Sequence, residues 1–269
     1  MLRKLAFYCL PIVVLSLVSC NNDRKAAENA ASKAVERVVN QDSIRQLYGK
    51  LIQNRRDSMR TKQIVEVGKL YPVDEAPTDT SFYVFREGLK DIIQQRDKFR
   101  LLEVVDANIQ IDFGGPAGVA PFVEAWNLDS PKDSSAIWST LENILALGGT
   151  FDGDKQTFMA PYYTATFPDT YDASSMGVVL GQGVRVRAGT DLNSQILKTI
   201  SYDILPVLDW EVKPDTIDGV MDQWVKVKLS EKQEGFIFGK FVGSPYDYRA
   251  VFTRQPNSTW HLTALVHGD

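Results

Sequence analysis

Sulfur and imidazole are almost missing from this sequence. Its only cysteines are Cys9 and Cys20, and its only histidines are His261 and His267. Both cysteines precede residue 21, so the rest of the chain has no internal disulfide and no thiolate metal site. A Cys/His nucleophile pair and a His-rich zinc site are excluded with them. No Gly-x-Ser-x-Gly or Ser-x-x-Lys pattern offers a serine nucleophile instead. The glycine-rich stretch Gly114 to Gly118 lacks the Gly-Lys-Ser/Thr of a phosphate loop, and Pro116 removes one N–H that such a loop would use. Asp152-Gly153-Asp154 is too short for the ligand pattern of a calcium loop and reads as a β-turn. No cofactor is expected from these motifs.

A long apolar run is also missing. Leu5 to Val18 is almost wholly apolar, which falls short of the roughly 20 residues a spanning helix needs. With Arg3 and Lys4 before it and small and polar residues after it, the order is that of a secretory signal. Leu17-Val18-Ser19-Cys20 resembles the lipobox of bacterial lipoproteins. The resemblance implies cleavage before Cys20, thioether lipidation of that cysteine and acylation of the new N-terminus with fatty acid such as palmitate. Several acyl chains hold a protein firmly to a bilayer where one alone is marginal. The expected location is the cell membrane or outer membrane, with the body outside the cytoplasm and the periplasmic side favoured.

Charge is unevenly spread. The whole chain carries −4, and loss of Arg3 and Lys4 makes this −6. Residues 24–64 carry +6 and residues 65–269 carry −11. A basic segment beside the anchor suits anionic headgroups, at about 1 kcal/mol per Lys or Arg near the surface, or is a solvated helical stalk. The acidic body argues against nucleic acid as a partner.

Residues 24–64 have helical composition, and Ile44, Leu47, Tyr48 and Leu51 share one helical face. Tyr71 to Ser81 reads as a linker and helix start. Phe82, Phe85, Leu89 and Ile92 then mark an amphipathic helix, and Phe99, Leu102 and Val105 a second. Ile109, Ile111 and Phe113 alternate with polar residues as in a short strand. Val119, Phe122 and Trp126 predict a third helix. Ile137, Leu141, Ile144 and Leu145 predict a fourth, closed by Gly148-Gly149. From Met176 the period becomes two. Near the end, "DYRAVFTR" and "TWHLTALV" form a hairpin expected to dock on the helix-rich block, with Tyr248, Ala250, Phe252, Trp260, Leu262 and Ala264 inward.

Three blocks in this period-two region, "GVRVRAGTDLNSQIL" (183–197), "QWVKVKL" (223–229) and "EGFIFGKFV" (234–242), resemble bacterial Src-homology-3 (SH3) domains in order and spacing. Thr190-Asp191 replaces the usual Pro-Ser, and "DWEVKPDTIDGVMD" lengthens the third connection. Both departures fall where a ligand groove would lie. The expected fold class is α+β, an N-terminal helix-rich domain followed by a small all-β SH3-like barrel and a terminal β-hairpin. The expected boundaries are signal peptide 1–19, anchor and helical linker 20–78, helix-rich domain 79–171, barrel 172–244 and hairpin 245–269.

The resemblance implies a lipid-anchored, non-catalytic envelope protein whose barrel binds cell-wall peptide (peptidoglycan) or a protein partner. Aromatic-lined grooves are the means by which such folds bind, so Tyr202, Trp210 and Trp224 are the candidate contacts. Trp210 is the one expected to be exposed, and Trp224 is equally a core residue. Arg185 and Arg187 alternate with valines. They are expected to face solvent and to grip a peptide carboxylate or balance local acid. Two alternatives stand beside this reading. One is a carboxylate-dependent cell-wall hydrolase in 79–171, drawing on acids such as Asp112, Glu124, Asp129 and Asp152. The other is a purely structural envelope protein.

Overall fold

The computed structural model describes residues 66–131 and 134–268, with the single further position Gln46. Cys20 and the helical segment 24–64, with Ile44, Leu47, Tyr48 and Leu51, lie outside the described residues. No described helix is long and apolar enough to cross a membrane. The described chain is mixed α and β, and its second sheet is a curled antiparallel one.

The chain first straps itself along the second sheet. Ile204 N–H donates to the Gly68 carbonyl and Leu70 N–H to that of Tyr202, both at 2.8 Å, while Lys69 pairs with Asp203 at 3.0 Å. It then enters helix α1 (Thr80–Gln95), whose first turn is capped by Asp79 accepting from Phe82 N at 2.9 Å. Arg86 on the buried face of α1 donates to both carboxylate oxygens of Asp74, at 2.7 and 2.8 Å, and fixes the incoming linker. Left-handed Arg96 ends the helix. Asp97 caps α2 (Lys98–Val104), and β1 (Val105–Gln110) follows directly. Val105 thus opens the strand rather than closing the helix, and Phe113 lies beyond the strand and is exposed. Helices α3 (Val119–Ala125) and α4 (Ile137–Ala146) come next. In α4, Ile137, Leu141, Ile144 and Leu145 are all buried, as their spacing predicts.

Two strands then appear inside the helix-rich block. They are β2 (Thr150–Phe151) and β3 (Thr157–Ala160), joined by the Asp152–Gln156 turn. After the short helix α5 (Tyr162–Ala165) the chain builds the second sheet from β4 (Met176–Val179), β5 (Val184–Arg187), β6 (Ile196–Ile200), β7 (Ile204–Ile217), β8 (Val220–Ser230), β9 (Gln233–Phe238) and β10 (Val242–Gly243). Their order is β10-β4-β7-β8-β9-β5-β6. The segment read as a long third connection is paired strand. Strands β7 and β8 run on as a two-stranded arm that turns at Asp218-Gly219, where both residues have positive φ.

The terminal hairpin, β11 (Arg249–Arg254) and β12 (Trp260–Val266), returns to the first sheet, ordered β1-β12-β11-β3-β2. Docking therefore takes the form of strand pairing. Strand β12 lies parallel to β1, and β11 is antiparallel to β3. Ala250, Phe252, Trp260 and Leu262 are buried as expected, whereas Tyr248 is exposed before the strand begins. The sheet and α1 to α4 share one core. At its centre Phe82 meets Phe85, Phe151, Phe158, Phe252 and Trp260, with ring centroids 4.2 to 5.9 Å apart.

A third, small core joins the two sheets through Leu70, Tyr162, Tyr163, Val178 and Ile204. Tyr163 Oη donates to Asp247 Oδ2 at 2.9 Å, and the same oxygen accepts from Ser244 N–H at 2.8 Å. Burial pushes the Asp247 carboxyl above its ordinary value, against the pull of these two bonds. Gly243 sits flat against the Tyr163 ring, where a Cβ would come within 2.6 Å of the ring carbons.

Candidate functional site

Three of the five binding candidates meet in one groove of about 530 Å³ on the second sheet, lined by Arg185, Arg187 and Trp224 with Leu192, Ile217, Asp218, Phe238 and Phe241 among others. Register explains the grouping. Trp224 on β8 is paired with Phe238 on β9, and their rings meet edge to face at 5.8 Å. Trp224 is only 1% exposed, so it is a floor residue whose edge reaches the groove. The Trp224 indole N–H donates to Asp215 Oδ2 at 2.9 Å across the arm. That bond, with the Thr216 N–H, holds the Asp215 carboxyl below the usual range.

The two arginines do not behave alike. Arg185 is exposed, as alternation predicts. Arg187 is only 7% exposed, which corrects the expectation that both face solvent. The β5–β6 pairing shifts register between Val186 and Arg187, and an irregularity of that kind breaks the in–out alternation, so both neighbours are buried. Arg187 Nη1 donates to the Ser194 carbonyl at 2.9 Å and pins the 188–195 loop. The loop is closed further by Ala188 N–H to Gln195 O at 2.8 Å and by Ser194 Oγ to Gly189 O at 2.9 Å. It presents Leu192, 53% exposed, to the groove. The opposite wall is the arm, through Ile217 and Asp218. Lys213 on the arm reaches the Thr190 carbonyl at 3.3 Å. The 188–195 loop and the β7–β8 arm thus form two walls of one groove, through Leu192 on one side and Ile217 and Asp218 on the other. A short 3₁₀ turn, Gly239–Phe241, adds Phe241, which is 41% exposed.

Tyr202 and Trp210 are not among the lining residues. Tyr202, in a left-handed conformation, packs on Tyr71 of the incoming strap at 5.4 Å between centroids. Trp210 is half-buried against the second-sheet core rather than exposed, with its ring 3.2 Å from where a Cβ would stand on Gly177. Both are packing residues. Sequence reading missed Leu192, Ile217, Asp218, Phe238 and Phe241. The Asp218-Gly219 pair was the available signal, since Asp-Gly between β-branched runs marks a hairpin.

The acids considered for hydrolysis are scattered. Glu124 and Asp129 share a wide, open depression of about 590 Å³ on the outside of α3, while Asp112 and Asp152 are exposed elsewhere. Among the described residues no group of three or more His, Cys, Asp or Glu side chains is placed to hold a metal ion. No family model, curated protein or solved structure matches the chain.

Proposed function

We propose that this is a lipid-anchored protein of the bacterial cell envelope, tethered through Cys20. Its helix-rich part is followed by an SH3-like barrel that binds cell-wall peptide, without catalysis of its own. The observation that carries the reading is the groove. It has a volume of about 530 Å³, an aromatic floor, apolar walls and two arginines. An extended peptide suits it better than a small rigid ligand, because the groove runs between a loop and a projecting two-stranded arm.

The hydrolase reading finds less support. The interior behind the acids of 79–171 is filled by the aromatic core, and Glu124 and Asp129 are both exposed. The half-buried Trp210 favours the purely structural reading of that face, but the groove is elsewhere.

The test is co-sedimentation of the detergent-solubilised full chain with purified sacculi. Arg185→Gln is the groove variant, and Met221→Ser, on a residue 79% exposed that does not line the groove, is the control. The reading expects pelleting that R185Q weakens and M221S leaves unchanged. Absence of pelleting removes the wall as the direct ligand and leaves an envelope protein as the occupant to seek.

A further inference from the structure

The groove has an electrostatic imbalance. Among the described residues neither Arg185 nor Arg187 forms an ion pair. For Arg185, exposed to water, this costs little. For Arg187 it is unusual. A guanidinium offers five N–H donors, yet the one side-chain bond of Arg187 is the Nη1 contact to Ser194 O at 2.9 Å. A buried charge is normally paired, because leaving water is expensive and only a counter-charge or a full set of hydrogen bonds offsets it.

Residues 65–269 carry −11 in total, so carboxylates to pair with are plentiful. The groove lining nevertheless holds two arginines against one carboxylate, Asp218 at the tip of the arm. Asp215 is close in sequence, but its carboxylate is engaged by the Trp224 indole. Arg187 therefore stands 93% buried in the groove wall beside an exposed second cation, with no acidic partner among the described residues.

We infer that the missing partner belongs to the ligand: the groove takes a peptide presenting a carboxylate next to an apolar side chain. Arg185 is the direct contact, free to rotate and to form the two-pronged bond that guanidinium and carboxylate favour. Arg187 is a positioning residue. Its fixed charge stands in the groove wall, and its bond to Ser194 O holds the loop that carries Leu192. Leu192, Ile217 and Phe241 receive the apolar side chain. This inference rests on the groove being a peptide site and adds the chemistry of the peptide.

The experiment uses two probes that differ in one group, N-acetyl-leucine and N-acetyl-leucinamide, titrated into the full chain in detergent. Binding is followed by NMR of the Leu192 methyl groups and the Trp224 indole N–H. The acid is expected to shift both signals saturably. The amide should bind about tenfold more weakly or worse, since a charge-assisted hydrogen bond is lost. Arg185→Gln, at an exposed position where folding is not at stake, should bring the acid down to the level of the amide. Equal response to acid and amide, or no response to the acid up to its solubility, overturns the inference. So does an R185Q protein that still prefers the acid. Sacculus pelleting with equal response to both probes would leave the peptide-binding reading standing and remove only the carboxylate. A clear preference for the acid without pelleting would do the reverse, keeping the anion-seeking groove and moving its ligand off the wall.

Discussion

The two sheets use their aromatic residues in opposite ways. In the first, Phe82, Phe158, Phe252 and Trp260 are collected at the centre and pack on one another and on aliphatic side chains, with the Trp260 indole N–H donating to Ser81 Oγ at 3.0 Å. In the second, the core is small and aliphatic, built from Val179, Val184, Val186, Val225, Val227 and Ile237. Trp224 and Phe238 are set beside that core, where they floor the groove. Rings at the centre of a layer hold it together. Rings beside the small core of a curled sheet line an open groove. The groove of the proposed function lies on the second sheet, and the aromatic core lies under the first.

The largest effect is expected from removal of Arg249 to Val266. Strands β11 and β12 lie between β1 and β3, so their loss separates the remaining strands of the first sheet and exposes the aromatic core. The expected outcome is complete loss of cooperative unfolding for that layer, read by near-ultraviolet circular dichroism. Next is Phe82→Ala, expected to cost about 3–5 kcal/mol as a buried phenylalanine truncation. Val186→Ala in the aliphatic core should cost about 2 kcal/mol. Urea unfolding of the two variants checks whether the cores differ as described. Both losses are expected in a single transition. Gly243→Ala places a methyl against the ring of Tyr163, whose hydroxyl is fixed by Asp247. Overpacking of this kind costs about 1–3 kcal/mol, and the urea midpoint measures it.

The smallest expected effect is one of pH. The folded-state pKa of Asp247 is raised above its ordinary 3.8. The folded protein therefore holds this proton more tightly than the unfolded chain does. The stabilisation is fully present below 3.8 and is lost as pH rises through the folded value. One group can give a slope of at most about 1.4 kcal/mol per pH unit. Asp247→Asn should remove that part of the slope between acid and neutral pH. An unchanged slope would assign the pH dependence to other groups and leave the junction electrically silent.

Much of this was legible in the sequence where one period persisted. Phe82, Leu89 and Ile92 on α1 and Ile137, Leu141 and Leu145 on α4 are buried because the spacing puts them on one face. The hairpin at the end was legible from two alternating runs around "QPNS". Irregularities hid the rest. The shift at Val186/Arg187 turned an arginine inward against the alternation. Strands β2 and β3 are too short to carry a period of their own. The arm was legible in principle from Asp218-Gly219, yet its many charges resemble a loop. Of the groove, Arg185, Arg187 and Trp224 could be named in advance, because they sit in recognisable blocks. Leu192, Ile217 and Phe241 could not, since each is an ordinary apolar residue until the chain folds around it.

The hairpin also sets a schedule. A chain made from its N-terminus produces β1, β2 and β3 long before the strands that belong between them. Helices α1 to α4 must wait with their apolar faces uncovered until Val266 exists, and pairing across so long a separation is slow. A chain that stops short of Trp260 is therefore no smaller version of the protein. It is a set of helices with sticky faces, open to proteases and aggregation. The first layer therefore closes only once β11 and β12 are in place between β1 and β3.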